Sequence, residues 1–505
     1  MTLQKAAAVT ADGGLVERWQ RPVLMALLLA LLAWHAVGAG LDFWAAIHTP
    51  LELDYGEGIV WQQAALIPGP RMYGLSQDLP FIVFHYPPLY HLVMRALRPM
   101  GADLREVGRM VSVISTFASA ATAFALVLMA TGRRPGRTAV WCAAVAGLLL
   151  LCLHAFRSWG VLMRVDMLAV ALGLAGVLAG ARSCGRFWGT TVALLLCVAA
   201  AYTKQTQLSP GIAVFAVAVI CRPRSAIAAA GVAGGVGLAV LAVLQWQTAG
   251  GFLQHIVGYN INRFSLEAGG KAVLPELGSL PFALLMVPAA VVAGRTMARG
   301  WLSGLRRGNP TAVARAMLLG QFAIASLMLV TVFKSGGSYN YLLDWLSIGT
   351  ILLGVALSDL SDGARLEPRR FTMIIGVLVL DMLFMPARLL RDTPPADQVA
   401  RQATLIRKIA EASKPVSSEN MSVLMQAGKP VLYEPAIVTE LALRGRWDER
   451  PLLEMIRRRE FAFMVVDHEH EDSPERRSPA VDSAMREAYP IVERIGPELW
   501  LHLPD

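Results

Sequence analysis

Two carboxylates lie three residues apart just after the first apolar stretch, in the run Asp54-Tyr55-Gly56-Glu57-Gly58. One helical turn would place both side chains on the same face. A carboxylate near a membrane surface can remove a proton from a hydroxyl group. The same spacing is typical of a helix N-cap followed by a first-turn acid, so a catalytic and a capping role both stay open for Asp54.

Basic side chains follow at the ends of later apolar stretches. The run Arg164-Val165-Asp166 could fix two helix ends through a salt bridge, or it could contact a substrate. Lys204 could extend its side chain to the membrane surface. The six residues after Lys204 contain no acid, which favours an external anion as its partner.

Two further segments carry groups that suit phosphate or sugar recognition. One contains His255, Asn262 and Arg263, whose amide and guanidinium groups can donate several hydrogen bonds. A lone histidine such as His255 is more often structural. The other runs from Lys334 through a glycine pair to Tyr339, and a flexible turn is the alternative there. The tract at 468–472 has two histidines but no third ligand at a metal-binding spacing, so we expect a solvated loop.

The composition indicates that membrane helices position these groups. The chain has 505 residues, 55% of them hydrophobic and only 16% charged, against about 25% charged residues in soluble domains. The mean hydropathy is +0.49. Apolar blocks long enough to cross a bilayer predict about eleven transmembrane helices. They are expected at 22–40, 107–130, 138–155, 166–181, 189–203, 207–221, 225–246, 278–295, 315–333, 340–358 and 371–388.

Charge in the short connecting loops predicts the orientation. Arginines recur in alternate loops, which places the N-terminus in the cytoplasm and the C-terminal segment outside. Residues 41–106 are then an outside loop with two interfacial helices, at 54–66 and 88–98. The predicted fold is thus an α-helical polytopic membrane domain at 1–390 and a small soluble α/β domain at 391–505, extracytoplasmic and therefore periplasmic.

Several classes of protein are disfavoured. The net charge of +9 suits anionic headgroups and cytoplasmic loops, so we expect membrane lipids and no nucleic acid as partners. The C-terminal segment has no cysteine, so a disulfide framework is not expected. The lack of a glycine-rich phosphate loop and of a nucleophile elbow argues against an enzyme driven by a nucleotide.

In order and spacing, four motifs resemble the integral-membrane glycosyltransferases of the C superfamily. They are the acidic motif at Asp54, the segment His85-Tyr86-Pro87-Pro88-Leu89, Arg164-Val165-Asp166 and Thr203-Lys204-Gln205. The chain is similar to the bacterial lipid A aminoarabinose transferase, the rhizobial galacturonic acid transferases of lipopolysaccharide and the protein O-mannosyltransferases. The resemblance covers residues 20–390 in outline.

The resemblance implies a role for each motif. Asp54 would be the catalytic base, Arg164 and Asp166 would match the Arg-x-Asp pattern, and Lys204 would bind the lipid phosphate. His85 and Tyr86 stand where several relatives have a Glu-Lys pair, which puts in doubt any metal or phosphate contact there. The stretch Asn260-x-Asn262-Arg263 resembles a loop of the family that faces the donor. The other predicted substrate-binding residues, Glu57, His255 and Tyr339, are chosen from the sequence itself.

The expected activity is inverting transfer of a sugar from a polyprenyl-phosphate donor to a hydroxyl of a lipid-linked or envelope glycan, at the outer face of the bacterial inner membrane. The expected partners are that donor and a glycan or glycolipid acceptor. Whether a divalent metal assists stays open, with Glu57 or Asp166 as its ligand.

Three alternatives remain. A secondary transporter would carry charges at the midplane and inverted repeats, and the sequence shows neither pattern. A polysaccharide polymerase or ligase would have its dominant outside loop late in the chain, whereas here the long acidic loop comes first. A non-catalytic scaffold would keep its function without Asp54.

Overall fold

The computed structural model describes most of the chain. The described residues are 3–98, 103–132, 136–260, 264–267, 269–271, 283–297, 300–334, 337–362, 368–385, 394–467, 475–496 and 499–505.

Long apolar helices form the body of the fold, because a helix satisfies its own backbone hydrogen bonds where water is absent. In chain order they are Leu3–Ile47, Leu104–Thr131, Arg137–Cys152, Asp166–Ser183, Phe187–Thr203, Ser209–Cys221, Pro223–Gln247, Ala283–Met297, Pro310–Met328, Leu343–Asp362 and Pro368–Phe384. Each of the predicted spans overlaps one of these helices, so the predicted polytopic helical fold is confirmed.

Length and composition suit these helices to a bilayer. Among the described residues, six helices are long and apolar enough to cross a membrane: Gln20–Ile47, Leu104–Thr131, Asp166–Ser183, Pro223–Gln247, Pro310–Phe333 and Leu343–Ser361. Large apolar side chains remain exposed on the outside of the bundle, including Ile114, Leu238, Trp246, Leu327 and Phe384. Lipid would cover such a surface, which a soluble monomer rarely exposes.

Small residues let neighbouring helices pack closely. Gly176 faces the helix Phe187–Thr203, and a Cβ atom at Gly176 would lie 2.6 Å from Cys197 Sγ and 3.0 Å from the Ala193 carbonyl oxygen. All five cysteines are buried as free thiols. The bundle therefore depends on close packing rather than on cross-links.

Short helices connect the long ones. They are the α-helices Tyr55–Leu66, Leu89–Leu97, His154–Trp159, Gly251–Ile256 and Trp301–Arg306, and the 3-10 helices Gly258–Asn260, Leu329–Phe333 and Tyr339–Tyr341. The first two confirm the helices predicted at 54–66 and 88–98 in the first long loop.

The C-terminal segment mixes helices with a small sheet, as predicted. Its helices are Ala396–Glu411, Met421–Gln426, Pro435–Leu443, Arg450–Arg457 and Pro479–Ala488. Its strands are β1 (Ser417–Ser418), β2 (Met464–Asp467), β3 (Ile491–Arg494) and β4 (Leu499–Leu503), in the order β1-β2-β4-β3. β1 runs parallel to β2, whereas β4 is antiparallel to β2 and to β3.

The sequence predicts strands in this segment at 422–425, 430–433, 461–466 and 497–503, and the first two predictions are wrong. Residues 422–425 are helical, since Asn420 caps the helix Met421–Gln426 by accepting from the Val423 amide. Residues 430–433 join no strand of the sheet; the Leu432 carbonyl instead accepts a hydrogen bond of 2.8 Å from the Phe81 amide in the first loop. The helix Pro435–Leu443 was not predicted.

The C-terminal segment packs directly on the first loop. Phe81, Val83 and Tyr259 share a hydrophobic cluster with side chains of the C-terminal segment such as Tyr433 and Trp447. The rings of Phe81 and Trp447 stack with centroids 5.6 Å apart. The C-terminal segment therefore lies against the loop that carries Asp54, while the predicted domain boundary at 390/391 lies outside the described residues.

Candidate active site

Four charged side chains of alternating sign form a continuous row. Arg164 Nη1 lies 2.8 Å from Asp54 Oδ1, Arg164 Nε lies 4.0 Å from Asp166 Oδ2, and Lys204 Nζ lies 2.6 Å from Asp166 Oδ1. The row joins the start of the helix Tyr55–Leu66 to the ends of two long helices. Three of the motifs found in the sequence thus meet at one place.

Asp54 is the accessible acid of the row. It caps the helix Tyr55–Leu66, with Oδ1 accepting from the Gly56 amide at 2.9 Å and from Arg164. Its side chain is 30% exposed, against 1% for Asp166. In the described part of the chain no donor reaches Oδ2. The capping role is therefore real, and it leaves one oxygen available to an incoming hydroxyl group.

Gly56 leaves the space that the Arg164 guanidinium occupies. A Cβ atom at Gly56 would lie 1.1 Å from Arg164 Nη1 and 2.2 Å from Arg164 Cζ. The bond between Arg164 and Asp54 thus depends on a residue without a side chain.

Gly56→Ala is therefore expected to displace Arg164 and to lower turnover by about 10- to 10²-fold, the usual effect of misplacing a reacting group by about 1 Å. The thermal unfolding midpoint should change little, since the alanine methyl meets only the ends of the Arg164 and Asp54 side chains and no backbone atom. Gly270→Ala is the matched control, because Gly270 has open space around it. Gly428 in the C-terminal segment would not serve, because it has a positive φ. Normal turnover in Gly56→Ala would contradict this role of Gly56.

Asp166 is a buried acceptor that holds Lys204. Its Oδ1 accepts from Lys204 Nζ and from Asn340 Nδ2 at 2.9 Å, and its Oδ2 accepts from Trp159 Nε1 at 2.9 Å. The interpretation that Lys204 lacks an acid partner is therefore wrong. The partner comes from another helix, 38 residues earlier in the chain, where a search of the residues beside Lys204 could not find it.

A second lysine lies near the same aromatic ring as Lys204. The amines of Lys204 and Lys334 lie 4.7 Å and 5.3 Å from the centre of the Tyr341 ring. No carboxylate of the described residues pairs with Lys334, and burial lowers the pKa of its amine. A cavity of about 30 Å³ beside Lys204, lined also by Asp166, Tyr341 and Asp344, has room for a water molecule.

Tyr339 is linked to these charges through Trp159. Its ring packs edge-on against Trp159 with centroids 4.8 Å apart. Trp159 in turn donates to Asp166. The neighbouring residues Asn340 and Tyr341, rather than Tyr339, contact the charged row.

Glu57 does not fit the predicted role of a substrate or metal ligand. It is fully buried, and Arg109 Nε and Nη2 donate to its two oxygens at 2.9 and 2.7 Å. The Leu53 and Met163 amides also donate to it, at 2.8 and 2.9 Å. Since these amides directly precede Asp54 and Arg164, Glu57 positions both charged residues and has no oxygen left for a ligand.

His255 does not fit a substrate-binding role either. Its Nδ1 accepts from the Phe84 amide at 3.0 Å, and its Nε2 lies 2.8 Å from the Gly74 carbonyl oxygen. Burial lowers the pKa of His255 to about 4, so the ring is neutral. It joins two loop segments. Asn262, Arg263 and the tract 468–472 lie outside the described residues.

His85 and Tyr86 both reach the site, and His85 meets an acid that the sequence reasoning missed. The Tyr86 hydroxyl accepts from Arg164 Nη2 at 3.2 Å. His85 Nε2 lies 3.0 Å from Glu434 Oε2, and the Tyr55 hydroxyl donates to Glu434 Oε1 at 2.9 Å. Glu434 lies in the C-terminal segment, where the sequence predicts an α/β domain and no site residue.

A divalent metal does not fit the predicted ligands. Glu57 is saturated by Arg109 and backbone amides, and Asp166 by Lys204, Asn340 and Trp159. No group of three or more His, Cys, Asp and Glu side chains is arranged to hold a metal ion within the described ranges. No step of the chemistry is therefore assigned to a metal.

Glu52, two residues before Asp54, is a buried acid whose charge depends on pH. Burial and the nearby Glu57 and Asp54 carboxylates raise the pKa of Glu52 to about 8. An unfolded glutamate has a pKa of about 4.3. Between these values the folded chain keeps a proton that the unfolded chain has lost, so the free energy of unfolding falls as the pH rises through this window.

Glu52→Gln is expected to remove this part of the pH dependence. The wild-type thermal midpoint should be lower at about pH 8.5 than at about pH 5.5, and the variant should show a smaller difference. Glu460→Gln, at an exposed position, is the matched control. An unchanged pH dependence in Glu52→Gln would mean that Glu52 is ionised in the folded chain.

Comparison with solved structures identifies the fold. ArnT from Cupriavidus metallidurans in the apo state matches with a TM-score of 0.54 and 14% identity, over 93% of this chain and 97% of ArnT. ArnT bound to undecaprenyl phosphate matches with the same TM-score and coverage at 12% identity. The archaeal oligosaccharyltransferase AglB from Archaeoglobus fulgidus, in complex with an inhibitory peptide and a dolichol-phosphate, matches with a TM-score of 0.50 and 12% identity, over 90% of this chain and 70% of AglB.

These matches confirm the fold implied by the sequence resemblance, that of ArnT and AglB. At such low identity the likeness shows the fold alone. No protein-family model matches the chain, and no curated protein is similar to it in sequence.

Proposed function

We propose that the chain transfers a sugar from a polyprenyl phosphate to a hydroxyl group of a lipid-linked or envelope glycan, with inversion at the anomeric carbon. The observation that carries the proposal is the row Asp54–Arg164–Asp166–Lys204, which sets an accessible carboxylate beside fixed cations. The shared fold supports it, since ArnT has been solved with undecaprenyl phosphate. The reaction would take place at the outer face of the bacterial inner membrane.

The charges beside Tyr341 suit a phosphate. The four charges of the row sum to zero, and Lys334 adds a positive charge that no carboxylate of the described residues pairs with, since Asp344 is held by Gln207, Ser209 and Gln321. A half-buried amine that no described carboxylate pairs with is unfavourable, and an anion bound beside it would relieve this. The phosphate of a lipid donor would thus lie near Lys204 and Lys334, with its chain among the apolar helices.

Transfer then needs one base and one stabilised leaving group. Asp54 Oδ2 takes the proton of the acceptor hydroxyl as the hydroxyl oxygen attacks the anomeric carbon. The bond from the anomeric carbon to the phosphate oxygen breaks, and the phosphate leaves with the electron pair. Lys204, Lys334 and Arg164 stabilise the charge that develops on it. A single displacement of this kind inverts the anomeric carbon.

The acceptor would approach between the first loop and the C-terminal segment. A cavity of about 720 Å³ lies there, lined by residues of both, including Gln62, Arg71, Asp78 and Val431. Its volume is in the range of ligand sites. Its lining is mostly apolar but includes Gln62, Arg71, Asp78 and Lys429, whose polar groups can hydrogen-bond to a glycan headgroup.

Sugar transfer by the purified protein in liposomes tests the proposal. Undecaprenyl-phosphate sugars and nucleotide sugars are supplied in parallel with a crude envelope-glycan acceptor. We expect labelled sugar to reach the acceptor from a lipid donor only. Transfer from nucleotide sugars alone, or uptake of a labelled solute into the liposomes without any transfer, would reject the proposal.

Lys334→Gln is expected to weaken binding of the donor. Loss of a hydrogen bond to a charged group is worth about 1.5–3 kcal/mol, so the KM for the lipid donor should rise by roughly 10- to 150-fold. Lys414→Gln is the matched control, since Lys414 lies in the C-terminal segment and donates only to the Arg459 carbonyl oxygen among described residues. An unchanged KM in Lys334→Gln would place the phosphate elsewhere.

A further inference from the structure

Glu434, in the C-terminal segment, contacts two dipeptides at the Asp54 end of the charged row. The dipeptides Asp54-Tyr55 and His85-Tyr86 are joined twice. Arg164 bridges Asp54 and Tyr86, and Glu434 bridges Tyr55 and His85. The first bridge comes from the membrane helices and the second from the C-terminal segment, 349 residues after His85.

We infer that Glu434 and a protonated His85 form an ion pair that positions Asp54 relative to Lys204, so that the C-terminal segment completes the active site. This inference rests on the proposed function for its catalytic consequence. Both residues act through their neighbours and are positioning residues.

The hydrogen bonds around His85 indicate that its ring carries two protons. Nε2 faces the Glu434 carboxylate, and Nδ1 lies 3.3 Å from Asn260 Oδ1. The orientation of the Asn260 amide follows from its nitrogen, which donates to the His85 and His255 carbonyl oxygens at 3.3 and 2.9 Å. Because both ring nitrogens face acceptors, only the imidazolium form donates to both.

The surroundings of Glu434 keep it ionised. Burial alone would raise its pKa, but the hydrogen bonds and charges of His85, Tyr55 and Arg476 outweigh burial and lower it. The Arg476 guanidinium lies 3.4 Å from the centre of the Tyr55 ring. Within the described ranges, the other titratable groups near His85 include Tyr86, whose ring is 6.1 Å away, and the neutral His255.

His85 also connects to the cationic end of the site. Its carbonyl oxygen accepts from Gln205 Nε2 at 2.9 Å, and Gln205 directly follows Lys204. Gln205 Nε2 also donates to the Ile256 carbonyl oxygen at 3.1 Å. A shift of His85 would therefore move the base through Tyr55 and the phosphate site through Gln205.

A purely structural role for Glu434 is the competing explanation. Its Oε1 also accepts from the Ile437 amide at 3.3 Å and so caps the helix Pro435–Leu443. Glutamine at this position keeps an oxygen for the cap and for the Tyr55 hydroxyl group but loses the charge that faces His85. The variant Glu434→Gln thus separates capping from ion pairing.

Solid-state NMR of histidine-¹⁵N-labelled protein in lipid bilayers tests the ion pair without any assay of activity. The His85 signals are assigned by their loss in His85→Gln. We expect both His85 ring nitrogens in the imidazolium range at neutral pH in the wild type, and a neutral ring in Glu434→Gln. A neutral His85 in the wild type would overturn the inference.

Sugar transfer supplies the second readout. Glu434→Gln should lower kcat by at least about tenfold with a smaller change in the KM for the lipid donor, since the base loses its support through Tyr55 whereas Gln205 stays bonded to the Ile256 carbonyl oxygen. Combined with His85→Gln it should lower kcat no further than either substitution alone. Glu419→Gln is the matched control: Glu419 is a buried acid that pairs with Arg477 inside the C-terminal segment, and its loss should lower stability but not kcat.

The two failures are distinguishable. A wild type that transfers sugar from no lipid donor rejects the proposed function, and the NMR spectra then decide the ion pair alone. A wild type that is active, with Glu434→Gln equally active or with additive effects of the two substitutions, rejects the positioning role.

Discussion

Asparagine in place of Asp54 is expected to lower the turnover of sugar transfer by about 10²- to 10⁴-fold, the usual contribution of a positioned general base. The amide oxygen of asparagine can still accept from the Gly56 amide and from Arg164, as Asp54 Oδ1 does. The amide nitrogen that replaces Oδ2 cannot accept the proton of the acceptor. The fold and the binding of polyprenyl phosphate should therefore persist while turnover falls.

The measurement is the initial rate at saturating lipid donor, with binding of undecaprenyl phosphate followed in parallel. Asp103→Asn is the matched control, because Asp103 lies in the same loop and likewise caps a helix, with Oδ1 accepting from the Arg105 amide. Turnover close to that of the wild type in Asp54→Asn would reject Asp54 as the base and leave it a helix cap.

Methionine in place of Arg109 is expected to destabilise the fold by about 3–5 kcal/mol, because it leaves the buried Glu57 charge without its partner. Arg109 is itself fully buried, and it also donates to the carbonyl oxygens of Ala46, Thr49 and Leu51. These bonds hold the chain between the first long helix and Asp54. Loss of Arg109 should therefore release the segment that carries the base.

Chemical unfolding followed by tryptophan fluorescence measures this effect, and hydrogen exchange of residues 48–57 localises it. Arg450→Met is the control: Arg450 pairs with Asp448 on an exposed surface, where such pairs are worth about 0–1 kcal/mol. Equal stabilities of Arg109→Met and the wild type would mean that Glu57 takes up a proton or a water-filled site, and that it does not fix the loop.

The helical body of the fold could be predicted from the sequence because hydropathy is a local property. A run of apolar residues is by itself enough to indicate a buried or membrane-spanning segment, so each predicted span overlaps a helix. The order of the short polar motifs also placed Asp54, Arg164 and Lys204 at one site, as their contacts show. The spacing of residues within one motif predicts how that motif is arranged, but not which distant residues it contacts.

Pairing between distant segments could not be read in this way. The three-residue spacing of Asp54 and Glu57 predicted a shared face, but the structure turns Glu57 inward to Arg109, 52 residues later. The partner of Lys204 is 38 residues away, and Glu434 is 379 residues from Tyr55. A charged residue shows in sequence that a partner is needed, and only packing shows which one it has.

The errors in the C-terminal segment have the same origin. Short apolar runs of four residues suit a strand or one turn of a helix equally well. Asn420 caps the helix at 421–426 and so favours a helix there. Residues 430–433 pair with Phe81 of the first loop instead of joining the sheet. The strand Ile491–Arg494, exposed along its length, carried no alternating pattern to reveal it.

A cryo-electron microscopy structure of the protein in lipid nanodiscs with undecaprenyl phosphate tests the central claim most directly. The lipid phosphate should lie within hydrogen-bonding distance of Lys204 or Lys334, near the Tyr341 ring. Lipid phosphate bound away from both lysines, with the row Asp54–Arg164–Asp166–Lys204 closed to it, would contradict the account.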